Sequence, residues 1–597
     1  MSEQATSTIE ESRPMPKAPS KMERWFPIGS WLPGYKWGEY FTADLIAAIS
    51  VAALLIPESM GYASVAGLPV EIGLYAAPLA LIAYAMFGKS RLLVVATIGA
   101  VAAITGSLLS AINASNPPEL AILMATALAL TTGVIFLIAG LLRLGWVTNF
   151  LSRAVLEGFV LGMAIQIIVG QLDEMVGIHV VGESVFAKFG YWISHISEWD
   201  MTATAVGGGA LLLIFALHKF APKVPAAITA VALGSFLVYL FNPAIEIVEE
   251  IPRGMPSLAN VAEVAFSDWL TLLLGGALVA LISFAEGWGA SADLSRRTHD
   301  RLNSNQEFIA YGVSNLGAGL LGGMPVGGSL SKSSAAVSAG AKTQMSNIIL
   351  AGIVVLTLLF LAPIFQWLPE AVLAAVVIHA MWNSASPRKL RELWHIDQTD
   401  ATLGIITAVL VLAFDLLPAM VAGIVLSIGY LIYRISFPAR AELGREPQHG
   451  DFVAIHWLYG GHSGPAHPNA QRVENVLILR FGAPLIFANA EAFLQSGQDM
   501  LIAAAEQGSL PQVMVIDFEE ILYIDTTGVD ALENYHDYLT RYGVTLKLAR
   551  VHSDAESLLQ TAGLLDKIGK ENIHHTVRSA VNSVGDKEIE NGTGKRS

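Results

Sequence analysis

The sequence predicts an all-α polytopic membrane domain followed by a soluble α/β domain. Three observations carry that reading. Only 14% of the 597 residues are charged, where soluble domains carry roughly 25%. Long apolar runs with short polar breaks recur between about Phe41 and Tyr433. After Arg440 the pattern changes to short apolar strands alternating with helical spacing. The mean hydropathy is +0.54. A net charge of −15 with no long basic run argues against nucleic acid as a partner. The absence of cysteine excludes disulfides, thiolate metal sites and cysteine nucleophiles.

Residues 1–40 are polar, contain proline and carry Lys17, Lys21 and Arg24, and they lack a short apolar core. They read as a cytoplasmic leader rather than a cleaved signal peptide. The transporter-like part spans 41–437. Its apolar segments lie at 42–66, 71–88, 92–111, 119–142, 149–170, 206–218, 226–241, 269–293, 306–322, 329–340, 347–366, 369–383, 401–416 and 417–436. With the leader inside, every inside break carries Lys or Arg, from Lys89/Arg91 to Arg388/Lys389/Arg391, and the outside breaks are acidic or neutral. About fourteen crossings and two cytoplasmic termini follow. Several segments are shorter than the roughly 20 residues of a straight span. Two of these, near Val94–Ile104 and Ser329–Ala341, are bounded by charge or by a Gly/Pro-broken stretch, as half-helices at a midplane site are.

Two polar stretches match each other across the chain, Pro57-Glu58-Ser59-Met60-Gly61 and Ala285-Glu286-Gly287-Trp288-Gly289. Each sets a carboxylate three residues before a glycine inside apolar sequence. Such a group costs roughly 2.5–3.5 kcal/mol or more in hydrocarbon, so repeat-related copies point to a two-halved transporter with its site where the halves meet. A carboxyl withdrawn from water can exchange a proton in the physiological range, so Glu286 and Glu58 are the candidate coupling groups. Pro57 reads alternatively as a simple helix break. The half-helix starts at Ala96-Thr97-Ile98 and Ser329-Leu330-Ser331 present small residues and hydroxyls. A helix N-terminus leaves amide donors unpaired and carries about half a positive charge, so two facing tips would hold an anion. Lys332 adds a cation nearby. Gln166, His379 and Asp293 read as structural, Asp293 as a surface ion pair with Arg296 or Arg297.

Residues 438–472 read as a loop-rich linker, 473–575 as the soluble domain and 576–597 as a disordered tail. Val476–Phe481, Val513–Asp517 and Val544–Ala549 read as strands; Ala490–Glu506, Val529–Arg541 and Asp554–Ala562 read as helices. In Asp525-Thr526-Thr527-Gly528 an N-cap is the leading reading; Thr526 and Thr527 are candidate regulatory positions. No catalytic constellation appears in either part, so an enzyme is not expected.

Pro57-Glu58-Ser59-Met60-Gly61-Tyr62-Ala63 followed by Ala66-Gly67-Leu68-Pro69, together with Gly322-Gly323-Met324-Pro325 through Ser329-Leu330-Ser331-Lys332-Ser333, resembles the SulP anion transporters (the solute-carrier 26 group). The stretch around Asp525-Thr526-Thr527-Gly528 resembles a STAS domain. The resemblance covers about residues 25–570. It implies a seven-plus-seven inverted repeat divided into core and gate subdomains, elevator-like motion, a homodimer and a cytoplasmic STAS domain. It places Glu58, Tyr62, Ala96, Thr97, Ile98, Ser329, Leu330, Ser331 and Lys332 at the substrate and Glu286 at the coupling step. Many family members have Gln in place of Glu58 and Arg in place of Lys332, so the charge survives but bidentate oxyanion recognition does not.

The expectation is a secondary transporter of the cell membrane that imports an inorganic oxyanion, sulfate first, with H⁺. It needs no cofactor; its partners are the anion, the bilayer, a second copy and a cytoplasmic protein on the STAS domain. The alternatives are sodium-coupled bicarbonate uptake, proton-coupled dicarboxylate uptake and, from another class, an anion channel or a STAS-based sensor.

Overall fold

The structure is a computed structural model that describes residues 25–592 apart from 113–117, 147–151, 179–184, 223, 249–250, 253, 255–259, 299–301, 383, 415, 448–449, 460–461, 466, 468 and 509. Most of the expected leader and residues 593–597 lie outside the described residues. The chain forms two compact units, residues 1–427 and 428–597.

Each of the fourteen apolar segments contains a helix. They are α1 (Trp37–Val65), α2 (Val70–Phe87), α3 (Gly99–Ala111), α4 (Pro118–Leu141), α5 (Arg153–Val176), α7 (Met201–Phe220), α8 (Ala226–Phe241), α9 (Trp269–Thr298), α10 (Ser304–Leu320), α11 (Leu330–Ser338), α12 (Met345–Trp367), α13 (Glu370–Trp382), α15 (Gln398–Ala413) and α16 (Leu416–Ser436). Eight are long and apolar enough to cross a membrane, and α3, α8, α13 and α15 are shorter apolar helices. Two amphipathic helices escaped the sequence reading: α6 (Val185–Ser194) and α14 (Arg388–Ile396). Both are too short to register as spans, and α14 is also mixed in polarity.

The helices sort into two bundles. In one, α10 packs on α2 and α4, α9 on α3 and α4, and α12 on α1 and α2. In the other, α5 packs on α13 and α15, and α7 on α8 and α13. This is the core and gate division. Helix α1 borders both, touching α11 and α12 on one side and α13 on the other. Pro57 does not break α1, which runs through it unbroken. Proline inside a membrane helix is tolerated because neighbouring groups re-satisfy the freed carbonyl.

Ahead of the two half-helices the chain is extended. Strands β1 (Val94–Ala96) and β2 (Gly327–Ser329) pair antiparallel, with Val94 opposite Ser329 and Ala96 opposite Gly327. In a bilayer each strand would leave backbone groups unpaired; side by side they satisfy one another.

The second unit contains a seven-stranded sheet in the order β5-β4-β3-β6-β7-β8-β9. Its strands are β3 (Arg440–Arg445), β4 (Phe452–Tyr459), β5 (His462–Pro465), β6 (Val476–Phe481), β7 (Val513–Asp517), β8 (Thr545–Ala549) and β9 (Ile573–His574). The strands from β6 to β9 run parallel and β3 to β5 add an antiparallel edge. The helices are α17 (Ala490–Glu506), α18 (Thr526–Arg541), α19 (Ser553–Thr561), α20 (Leu564–Ile568) and α21 (Val577–Gly592). Two expectations are corrected. The linker is not loop-rich: the apolar, β-branched run Phe452–Tyr459 is a sheet strand. The tail is not disordered from 576: Val577, Ala580 and Val581 of α21 bury themselves against Val476, Ile478, Val513 and Val515. The side chains of Leu477, Leu479, Met514 and Ile516 alternate to the opposite face, under α17 and α18.

Candidate functional site

Lys332 stands one turn into α11, where a cation opposes the helix dipole. It is held there by groups from two other elements. Its Nζ lies 2.6 Å from Glu58 Oε2 of α1, donates to the Thr97 carbonyl at 3.3 Å, and sits 5.1 Å from the centre of the Tyr62 ring. Both side chains of the ion pair are almost wholly buried, Lys332 at 1% and Glu58 at 4% exposure. The sequence brought Glu58 and Lys332 to the same site but did not foresee that they neutralise each other.

The two helix tips differ. At α11, Ser329 Oγ accepts from Lys332 N at 3.3 Å, so the tip is capped by its own side chain. At α3, Ile98 is the N-cap and supplies no side-chain acceptor. Ser329 thus satisfies one first-turn amide of α11, while α3 has no side-chain cap. Thr97 Oγ1 donates to Ser59 Oγ at 2.8 Å, tying the start of α3 to α1. Ala96 and Ile98 are buried with it, whereas Leu330 is 51% exposed and Ser331, 3.1 Å from Ser329 Oγ, is exposed as well. Ser333 Oγ bridges the strands, donating to Ser329 O and accepting from Val94 N.

Glu286 lies on α9, next to Gly287, whose backbone packs so closely on β2 that a methyl group there would stand 3.1 Å from Gly328 Cα and overlap the Tyr311 hydroxyl. Among the described residues Glu286 makes no hydrogen bond or ion pair with Glu58, Thr97 or Lys332. On the other bundle, Lys389 of α14 and Glu157 of α5 pair with one another at 2.9 Å.

Five buried polar residues that the sequence reading did not single out hold this geometry. Asp44 of α1 accepts from Lys342 N, Thr343 N and Thr343 Oγ1 at 2.7–3.1 Å, fixing the turn after α11. The Tyr35 hydroxyl also reaches Asp44; burial and the Asp44 charge push its pKa up to about 12, so it remains a donor. Glu307 of α10 accepts from Lys89 N and Tyr84 Oη, both at 2.7 Å, fixing the turn before β1. Gln344 and Asn347 donate to Leu93 O, and Asn315 closes a two-way pairing with the Val326 backbone. A polar residue in an apolar segment was the available signal; which backbone groups it serves was not.

Of the polar groups read as structural, Asp293 pairs with Arg296 at 3.9 Å, and His379 packs edge-on against Phe215 and His218. In the soluble unit Asp525 caps α18 by accepting from Gly528 N at 2.8 Å. Thr526 and Thr527 are exposed beside it. A cluster of Glu174, Glu246 and Glu370 brings three carboxylates within 4.8 Å of one another; it lies on α5, the α8–α9 connection and α13, away from the ion pair.

Residues 41–407 match the Sulfate permease family and residues 467–580 match the STAS domain. A probable sulfate transporter of Mycobacterium tuberculosis is 32% identical over 559 residues, covering 92% of this chain and 97% of the relative. The chloroplastic sulfate transporter 4.1 of Arabidopsis thaliana is 30% identical, covering 93% and 82%. Among solved structures, the murine Solute Carrier 26 family member A9 anion transporter in the inward-facing state superposes with a TM-score of 0.85 at 20% identity, over 97% of each chain. The transmembrane domain of a cyanobacterium bicarbonate transporter gives 0.56 at 20% identity, over 65% of this chain and 97% of its own.

Proposed function

The chain belongs to the sulfate permease family, and from that premise we propose that it is a secondary active importer of sulfate that moves a proton with the anion. Its membership makes it an integral membrane anion transporter. The relatives named as sulfate transporters support sulfate as substrate. The observation that carries the coupling is the buried Glu58–Lys332 pair.

With Glu58 ionised, Lys332 is already occupied. A sulfate dianion arriving at the helix tips meets an internal competitor for the same cation. It also meets repulsion of about 4 kcal/mol per charge pair at 4 Å in an effective dielectric of 20. Protonating Glu58 removes the competitor and frees Lys332 for the anion. Glu286 is the second proton acceptor, and its neutralisation removes one negative charge that would repel the anion. Anion and proton then enter together. Thr97, Ser329 and Ser331 supply hydroxyls, and Ala96, Ile98, Leu330 and Tyr62 shape the pocket. The fourteen crossings, elevator-like motion of core against gate, a homodimer, cytoplasmic termini and residence in the cell membrane complete the reading.

The test is uptake of labelled sulfate by the purified chain in liposomes with imposed pH and sodium gradients. An inward proton gradient should drive uphill uptake and Glu286→Gln should abolish it while leaving downhill exchange. Uptake that follows sodium, or that ignores the pH gradient, would overturn proton symport.

A further inference from the structure

Helix α14 is nine residues long, about 14 Å at 1.5 Å per residue, and cannot span a hydrocarbon core of about 30 Å. It links α13 to α15, so it lies at one face of the membrane domain. Leu390 fixes its rotation: it is buried on α15, where Gly404 leaves the room and a methyl group would stand 2.6 Å from Leu390 Cδ2. Lys389 turns toward α5 and pairs with Glu157. At 100° per residue the opposite face then carries Arg388, Arg391, Glu392 and His395, all exposed. Arg388 shares its charge with Glu392 at 3.0 Å. Trp394 stands at the border between the apolar and cationic faces at 43% exposure, Ile396 is 81% exposed, and Trp382, just before the helix, is 55% exposed.

We propose that α14 is an interfacial helix that binds anionic phospholipid headgroups of the inner leaflet. The two arginines take the phosphate, and Trp394 and Trp382 enter the acyl boundary. Charge complementarity selects the occupant: a cationic face bordered by indole matches a negative lipid surface and not a neutral one. The inner-leaflet placement rests on the sidedness proposed above.

The full chain in detergent is titrated with phosphatidylglycerol or phosphatidylcholine, and bound lipid is counted by native mass spectrometry. Phosphatidylglycerol should be preferred, and the preference should fall about fivefold for each cation removed, about thirtyfold for R388Q/R391Q. Equal binding of the two lipids, or a preference untouched in the double variant, would overturn the proposal. This readout needs no transport, so it fails or succeeds separately from proton symport. A second measurement uses the cysteine-free background: Trp394→Cys, labelled with an environment-sensitive fluorophore in vesicles, should be quenched by a shallow lipid-borne quencher. Protection from both lipid-borne and aqueous quenchers would mean that a protein surface covers the helix, and would overturn it as well.

Discussion

Glu58 and Lys332 are each costly alone and inexpensive together. Breaking a buried pair by removing one partner costs about 3–5 kcal/mol, because the other charge is left uncompensated. Glu58→Gln and Lys332→Met should therefore each lower thermal stability in detergent, while the double variant recovers most of the loss and still fails to transport. Added sulfate should restore stability to Glu58→Gln more than it stabilises the native chain, since the anion then replaces the missing carboxylate. Additive losses in the double variant would show that the pair is not coupled. Gly287 tests the second carboxylate in another way. Gly287→Ala should lower stability by about 1–3 kcal/mol through overpacking and impair transport. Tyr311→Phe, which removes the overlapping hydroxyl, should restore part of both.

At the scale of elements, the short β1–β2 pair and its two half-helices are held by acids outside the site. Asp44 serves the turn after α11 and Glu307 the turn before β1. Hydrogen bonds to a charged group contribute about 1.5–3 kcal/mol each. Asp44→Asn should accordingly speed amide exchange at Lys342 and Thr343 and leave Lys89 unchanged. Glu307→Gln should do the reverse. If both variants loosen both turns alike, the anchors act on the fold as a whole and not on separate tips. The half-helices themselves were legible: shortness beside Gly, Pro and charge marked α3 and α11 within a few residues. Their unequal capping was not, because Ser329 and Ile98 differ as N-caps only once the backbone places each oxygen.

At the scale of the whole molecule, each unit has its own core. The soluble unit buries one face of its sheet under α17 and α18 and the other under α21. A fragment covering 438–592 should fold alone, with cooperative thermal unfolding and mixed helix–strand circular dichroism. Ending it at 575 uncovers Val476, Ile478, Val513 and Val515, so the shorter fragment should be less stable or aggregate. Equal stability of the two fragments would show that α21 is an accessory. In the membrane unit, Glu58 sits on α1, which borders both bundles, so a motion of one bundle past the other would change its surroundings.

The linear pattern alone established the membrane class, the fourteen apolar segments, the broken half-helices, the acid pair and the soluble α/β tail. These depend on composition and period, which are local properties of the chain. It also singled out the residues that meet at β1 and β2, because charge and glycine in hydrocarbon are expensive enough to stand out. The folded arrangement decided the rest: that Glu58 neutralises Lys332, that Ser329 caps α11 while α3 has no side-chain cap, that Lys389 pairs with Glu157, and that Asp44 and Glu307 anchor the turns. Each of these is a contact between residues far apart in the chain, set by how the helices pack, and a one-dimensional pattern carries no distance between them.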